Sequence, residues 1–109
     1  MEIAFRSLSL RAVCVSEAKS IGLYGVDIAQ SLKRRLADLR AADSIDELSA
    51  WSIVEVPGSG GTEMCIELSG GYGLIFRANH SKVPMTADGR PHWSNVTRVK
   101  LMKIEKVND

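Results

Sequence analysis

Between Val26 and Ala42 the residues Ile28, Leu32, Leu36 and Leu39 recur at i, i+4, i+8 and i+11, which lays them along one face of a helix. Lys33, Arg34, Arg35 and Arg40 fall largely off that stripe. Such a helix must bury its apolar face against a second layer. The following residues provide one. Trp51 to Val56 alternates, Met64, Ile66 and Leu68 alternate with Cys65 and Glu67, and Tyr72 to Ala78 continues in the same manner. These segments read as strands, joined through Pro57-Gly58-Ser59-Gly60-Gly61 and Ser69-Gly70-Gly71. Val96 to Val107 predicts a last strand, with Val99, Leu101 and Lys103 facing one way and Lys100, Met102 and Ile104 the other.

Upstream of the helix, residues 2–6 predict a short strand with Ile3 and Phe5 inward. Residues 8–21 carry Leu8, Ala12, Val15 and Ile21 at near-helical spacing, with Gly22 and Gly25 as the break before the main helix. Ser44-Ile45-Asp46-Glu47 has capping-box spacing for a short turn. A strand, two helices and then a run of strands define an α+β domain with both helices on one face of an antiparallel sheet. With no repeats or low-complexity tracts, residues 1–109 read as a single domain.

Charge narrows the function. Fourteen Lys and Arg against thirteen Asp and Glu leave a net charge of +1, so a general polyanion-coating protein is excluded and any nucleic-acid contact must come from a local patch. Cys14 and Cys65 form no CxxC pair and read as free thiols in apolar surroundings. No apolar run reaches the roughly 20 residues of a membrane span, and Met1 to Arg6 lacks a secretory pattern, so the expected location is the cytoplasm.

Three segments, in order, resemble the HigB-type toxins of the RelE/ParE superfamily of bacterial type II toxin–antitoxin systems. They are Ser31-Leu32-Lys33-Arg34-Arg35-Leu36-Ala37-Asp38-Leu39-Arg40-Ala41-Ala42-Asp43-Ser44 with Asp46-Glu47-Leu48, then Gly71-Tyr72-Gly73-Leu74-Ile75-Phe76-Arg77, then Trp93-Ser94-Asn95-Val96-Thr97-Arg98-Val99-Lys100-Leu101. The resemblance implies a RelE-like fold and a helix-turn-helix antitoxin encoded nearby as partner. The ribosome and mRNA are its further implied partners. Many such toxins cleave mRNA in the ribosomal A site: a ribose 2′-OH attacks the adjacent phosphate, without metal or cofactor. That reaction requires a base or an oriented hydroxyl, cations on the developing charge and an acid for the leaving oxygen.

This chain departs from the family pattern at the catalytic positions. The family's loop Lys-Gly-x-Arg-Lys-Gly is replaced by Pro57-Gly58-Ser59-Gly60-Gly61-Thr62-Glu63, its Tyr-Arg-Leu by Tyr72-Gly73-Leu74, and its Tyr-His ending by Lys106-Val107-Asn108-Asp109. Arg77 is the best remaining phosphate ligand, with Lys103 or His92 as helper. Lys33, Arg34, Arg98 and Lys100 are the candidate RNA-binding residues. Alternation places Arg98 and Lys100 on one face and Lys103 on the other.

His80 and His92 are the two histidines of the chain, the residue type suited to proton transfer near neutral pH. Their spacing, with Asp88, matches no usual metal set. Trp51 and Trp93 suit either base stacking or closure of a small core. The expectation is a toxin with weak ribosome-dependent RNase activity. The alternatives are a catalytically inactive RelE-fold binding protein that acts on an antitoxin or another target, as ParE-type relatives do with gyrase, and an unrelated α+β interaction domain.

Overall fold

The computed structural model describes residues 1–48 and 53–107. Trp51, with the expected start of its strand, lies outside the described residues. In chain order the elements are β1 (Glu2–Phe5), α1 (Leu8–Val15), α2 (Glu17–Tyr24), α3 (Val26–Ala41), β2 (Ile53–Glu55), β3 (Glu63–Glu67), β4 (Tyr72–Ala78) and β5 (Arg98–Lys106). Single 3₁₀ turns lie at Ile45–Leu48, Ser69–Gly71 and Trp93–Asn95. The class is α+β: three helices and one open sheet in the order β1-β5-β4-β3-β2. Neighbouring strands are antiparallel except β1, which runs parallel to β5 with Ile3 opposite Val99 and Phe5 opposite Leu101. The sheet is therefore mixed at one edge rather than wholly antiparallel.

The expected first helix is two. Ser16 leaves helical geometry at φ −116°, and its hydroxyl accepts from the Lys19 N–H at 3.2 Å, so one residue stops α1 and starts α2. Ser7 caps α1 in the same way through the Leu10 N–H at 3.1 Å. The break before α3 falls at Gly25 alone, whose φ of +88° suits glycine, whereas Gly22 lies inside α2. The expected capping box becomes a 3₁₀ turn in which the Glu47 carboxylate accepts from the Asp43 N–H at 3.0 Å.

Leu32, Leu36 and Leu39 pack with Ile66, Leu74, Phe76, Val99 and Leu101 into one core, and Ile28 borders it. The predicted stripe is thus the face that docks on the sheet. Ser31 fixes how the two layers meet. Its hydroxyl donates to the Ile28 carbonyl at 2.8 Å and accepts from the Ser69 N–H at 3.1 Å, anchoring the β3–β4 turn on α3. Trp93 packs edge-on against Phe76 with centroids 5.7 Å apart, and its indole N–H donates to the Gly61 carbonyl at 3.0 Å. It closes the core and pins the β2–β3 loop.

The strict alternation expected for β5 is broken. Ile75 pairs with Lys103 but Phe76 pairs with Leu101, so Met102 is an extra residue in a β-bulge. Beyond the bulge the faces exchange. Ile104 joins Val99 and Leu101 at the core, and Lys103 turns to the face that carries Lys100. The bulge makes a single basic stripe out of residues that a regular strand would divide.

Candidate functional site

The face of the sheet turned away from the helices is built from the positions between the core residues. Its cross-strand rows follow from the register. Glu63, Arg77 and Lys100 form one row, Cys65, Ile75 and Lys103 the next, and Glu67, Gly73 and Glu105 the third. Val54 extends the middle row onto β2.

Arg77 and Lys100 are directly opposite one another on adjacent central strands. Directly opposed residues hold their Cβ atoms about 5 Å apart, and like charges so placed are destabilising. Nearby carboxylates do not relieve this pair. Arg98 is held by Glu2 at 2.8 Å and Lys103 by Glu105 at 3.3 Å, but neither Arg77 nor Lys100 makes an ion pair among the described residues. Glu63, across from Arg77, is not within ion-pair distance. Two unneutralised cations converging on an open face can hold one anion between them, Arg77 through its planar fork and Lys100 as a point charge.

The remaining candidates occupy other surroundings. His92 is exposed on the connection between β4 and β5, with its Nδ1 3.0 Å from the Asn95 amide nitrogen. Among the described residues no hydrogen bond or ion pair joins His92 to Arg77 or Lys103. His80 accepts the Thr97 N–H on its Nε2 at 3.0 Å, which ties that connection to the start of β5. Lys33 and Arg34 are exposed on α3, across the sheet from Arg77, and Lys33 lies 3.7 Å from Glu17. The structure therefore assembles Arg77, Arg98, Lys100 and Lys103 on one face and leaves Lys33, Arg34 and His92 outside that cluster.

Gly73 is fixed by what lies over it. A Cβ at this position would collide with the Cys65 Sγ and come within 3.2–3.3 Å of both Val107 methyl carbons. The space above Gly73 is filled by a thiol and a valine. Ile75, next along β4 on the same face, is 1% exposed although it points away from the helices. Burial pushes the Cys65 thiol pKa up, and the neighbouring Glu105 and Glu67 carboxylates raise it further. The open face thus has a cationic end at Arg77 and Lys100, and an apolar, acidic end around Gly73.

Arg90 is a basic neighbour of the β2–β3 loop that sequence reasoning missed. Its guanidinium pairs with Glu55 at 3.0 Å and lies against Gly61, so it arrives from the long connection rather than from the loop. Nothing in the local pattern around Arg90 announces this long-range contact. Among the described residues no group of three or more His, Cys, Asp or Glu side chains gathers to hold a metal. No described helix is long and apolar enough to cross a membrane. No family model matches the chain, and neither does any curated protein or solved structure.

Proposed function

We propose that this chain is the toxin component of a bacterial type II toxin–antitoxin pair with a RelE/HigB-like fold. In this reading it is cytoplasmic and engages RNA through the open face of its sheet. The observation that carries it is the opposition of Arg77 and Lys100 without a compensating carboxylate. A backbone phosphate seated between them would be held by charge-assisted hydrogen bonds, and both cations would stabilise the extra charge that builds as a 2′-OH attacks. Element order adds support: a strand and helices precede an antiparallel run, as the resemblance implies.

Cleavage in this reading is weak. Lys103 is engaged by Glu105, and His92 lies on the β4–β5 connection with no hydrogen bond or ion pair to Arg77 or Lys103 among the described residues, so neither is set beside the cationic pair as a ready proton donor. Removing one donor to a developing oxyanion typically costs about 10²–10³ in rate. The filled space at Gly73 favours a second reading, a RelE-fold binding protein without RNase activity that acts through an antitoxin or another protein.

Toeprinting on translating ribosomes, with chelator present, tests the first reading. The expected outcome is inefficient A-site cleavage that Arg77→Ala abolishes and that Lys82→Ala, at an exposed lysine on the connection between β4 and β5, leaves intact. Efficient cleavage insensitive to Arg77→Ala would overturn it. Complete absence of cleavage by a folded chain would favour the second reading.

A further inference from the structure

The acidic end of the open face carries a cavity of about 420 Å³, within the range of ligand sites. Cys65 and Ile75 form its floor, and Val54 and Val107 stand at its sides, 60% and 40% exposed. Glu55, Glu67 and Glu105 surround this apolar patch, against one ammonium from Lys106. Glu55 is satisfied by Arg90 and Glu105 by Lys103, but Glu67 makes no ion pair among the described residues. Burial holds the Cys65 thiol pKa up, and Glu105 and Glu67 add to the shift.

We propose that this groove receives a segment of a partner protein that inserts an aliphatic side chain over Cys65 and Ile75 and places a Lys or Arg beside Glu67. Charge and polarity together select that occupant. Glu67, the rim carboxylate without an ion pair among the described residues, offers a position for a cation beside the apolar floor, whereas an RNA backbone finds its cations at the Arg77–Lys100 end of the same face. An acidic segment would set its charge against Glu67 and leave it unpaired. A purely apolar segment would leave Glu67 desolvated without a partner, which is costly. The exposed valines leave the groove open to solvent, so a continuous chain can lie across it. The inference is independent of the RNA reading, because no residue that forms the groove belongs to the Arg77–Lys100 pair.

Selection of displayed random peptides on the immobilised full-length chain tests it. Enriched peptides are expected to carry an aliphatic residue within two positions of Lys or Arg. A synthetic peptide of the enriched sequence should lose affinity about tenfold or more against Glu67→Lys and against Val54→Asp, and none against Arg77→Ala. Both altered side chains are exposed, so unchanged melting temperatures are expected. If Val54→Asp unfolds the chain, Glu67→Lys alone decides. Enrichment of acidic peptides, no enrichment, or affinity indifferent to both variants would overturn the proposal. So would sedimentation showing a dimer of this chain that Val54→Asp dissolves, since a second copy would then be the occupant. Loss of RNA binding in Arg77→Ala with peptide binding intact separates a failure of this inference from a failure of the functional reading.

Discussion

On the face toward α3, β4 contributes Leu74 and Phe76, both fully buried among leucines, and no charged side chain. On the opposite face the same strand contributes Gly73, Ile75 and Arg77, which pass within three alternate positions from a closed-packed end to an unpaired cation. One face is uniform because folding demands it: a helix stripe can be covered only by apolar residues. The other face has no helix to satisfy and is chemically divided. That division underlies the two binding proposals, because an unneutralised pair of cations and an open apolar pocket both cost stability in the isolated domain.

The largest effect should come from the covered face. Leu36→Ala, at a residue 2% exposed, should destabilise the domain by about 2–5 kcal/mol in chemical denaturation. A loss below about 1 kcal/mol would show that α3 is not docked where the core places it.

A smaller effect is expected at the closed end of the open face. Gly73→Ala should cost about 1–3 kcal/mol through overpacking against Cys65. In the Cys65→Ala background the same change should cost much less, a coupling that a double-mutant cycle in thermal or urea unfolding would measure. Additive costs would mean that Cys65 does not fill the space over Gly73.

The two thiols sharpen the comparison. Cys14, packed beside the core, is pushed from 9.0 up to about 11 by burial, an effect that Arg40 partly offsets. Both thiols keep their protons in the folded chain at a pH where the unfolded chain releases them. Stability is therefore complete below about pH 9 and falls as pH rises toward about 11. Cys14→Ala should flatten that decline by no more than about 2 kcal/mol, measured as the change in unfolding free energy between the two pH values. A profile that Cys14→Ala leaves unchanged would contradict the burial of its thiol.

The covered face was the legible one. The spacing of Ile28, Leu32, Leu36 and Leu39 and the alternation in β3 carry periods that only a helix and a strand satisfy. Other features carry no local mark in the sequence. Ser16 ends one helix and begins another through a hydroxyl that is unremarkable in sequence, and the bulge at Met102 has neither Gly nor Pro to signal it. The parallel pairing of β1 with β5 depends on contacts almost a full chain length apart. The open face was readable in part. Arg77 and Lys100 are both candidates by sequence, but their opposition is a property of strand register and not of either residue's neighbours. The apolar end did leave a trace. Leu74-Ile75-Phe76 is an unbroken apolar run, the pattern of a strand covered on both sides.

Affinity for a short single-stranded RNA, measured across a series of salt concentrations, tests most directly whether the cationic end of the open face is the binding surface. The slope of log affinity against log salt should fall in magnitude by about 0.7 for each phosphate contact removed. Arg77→Ala with Lys100→Ala is expected to reduce both affinity and slope, while Lys33→Ala with Arg34→Ala, on the far side of the sheet, leaves them unchanged. An unaltered slope in the first pair, or a loss confined to the second, would contradict the assignment of RNA to this face.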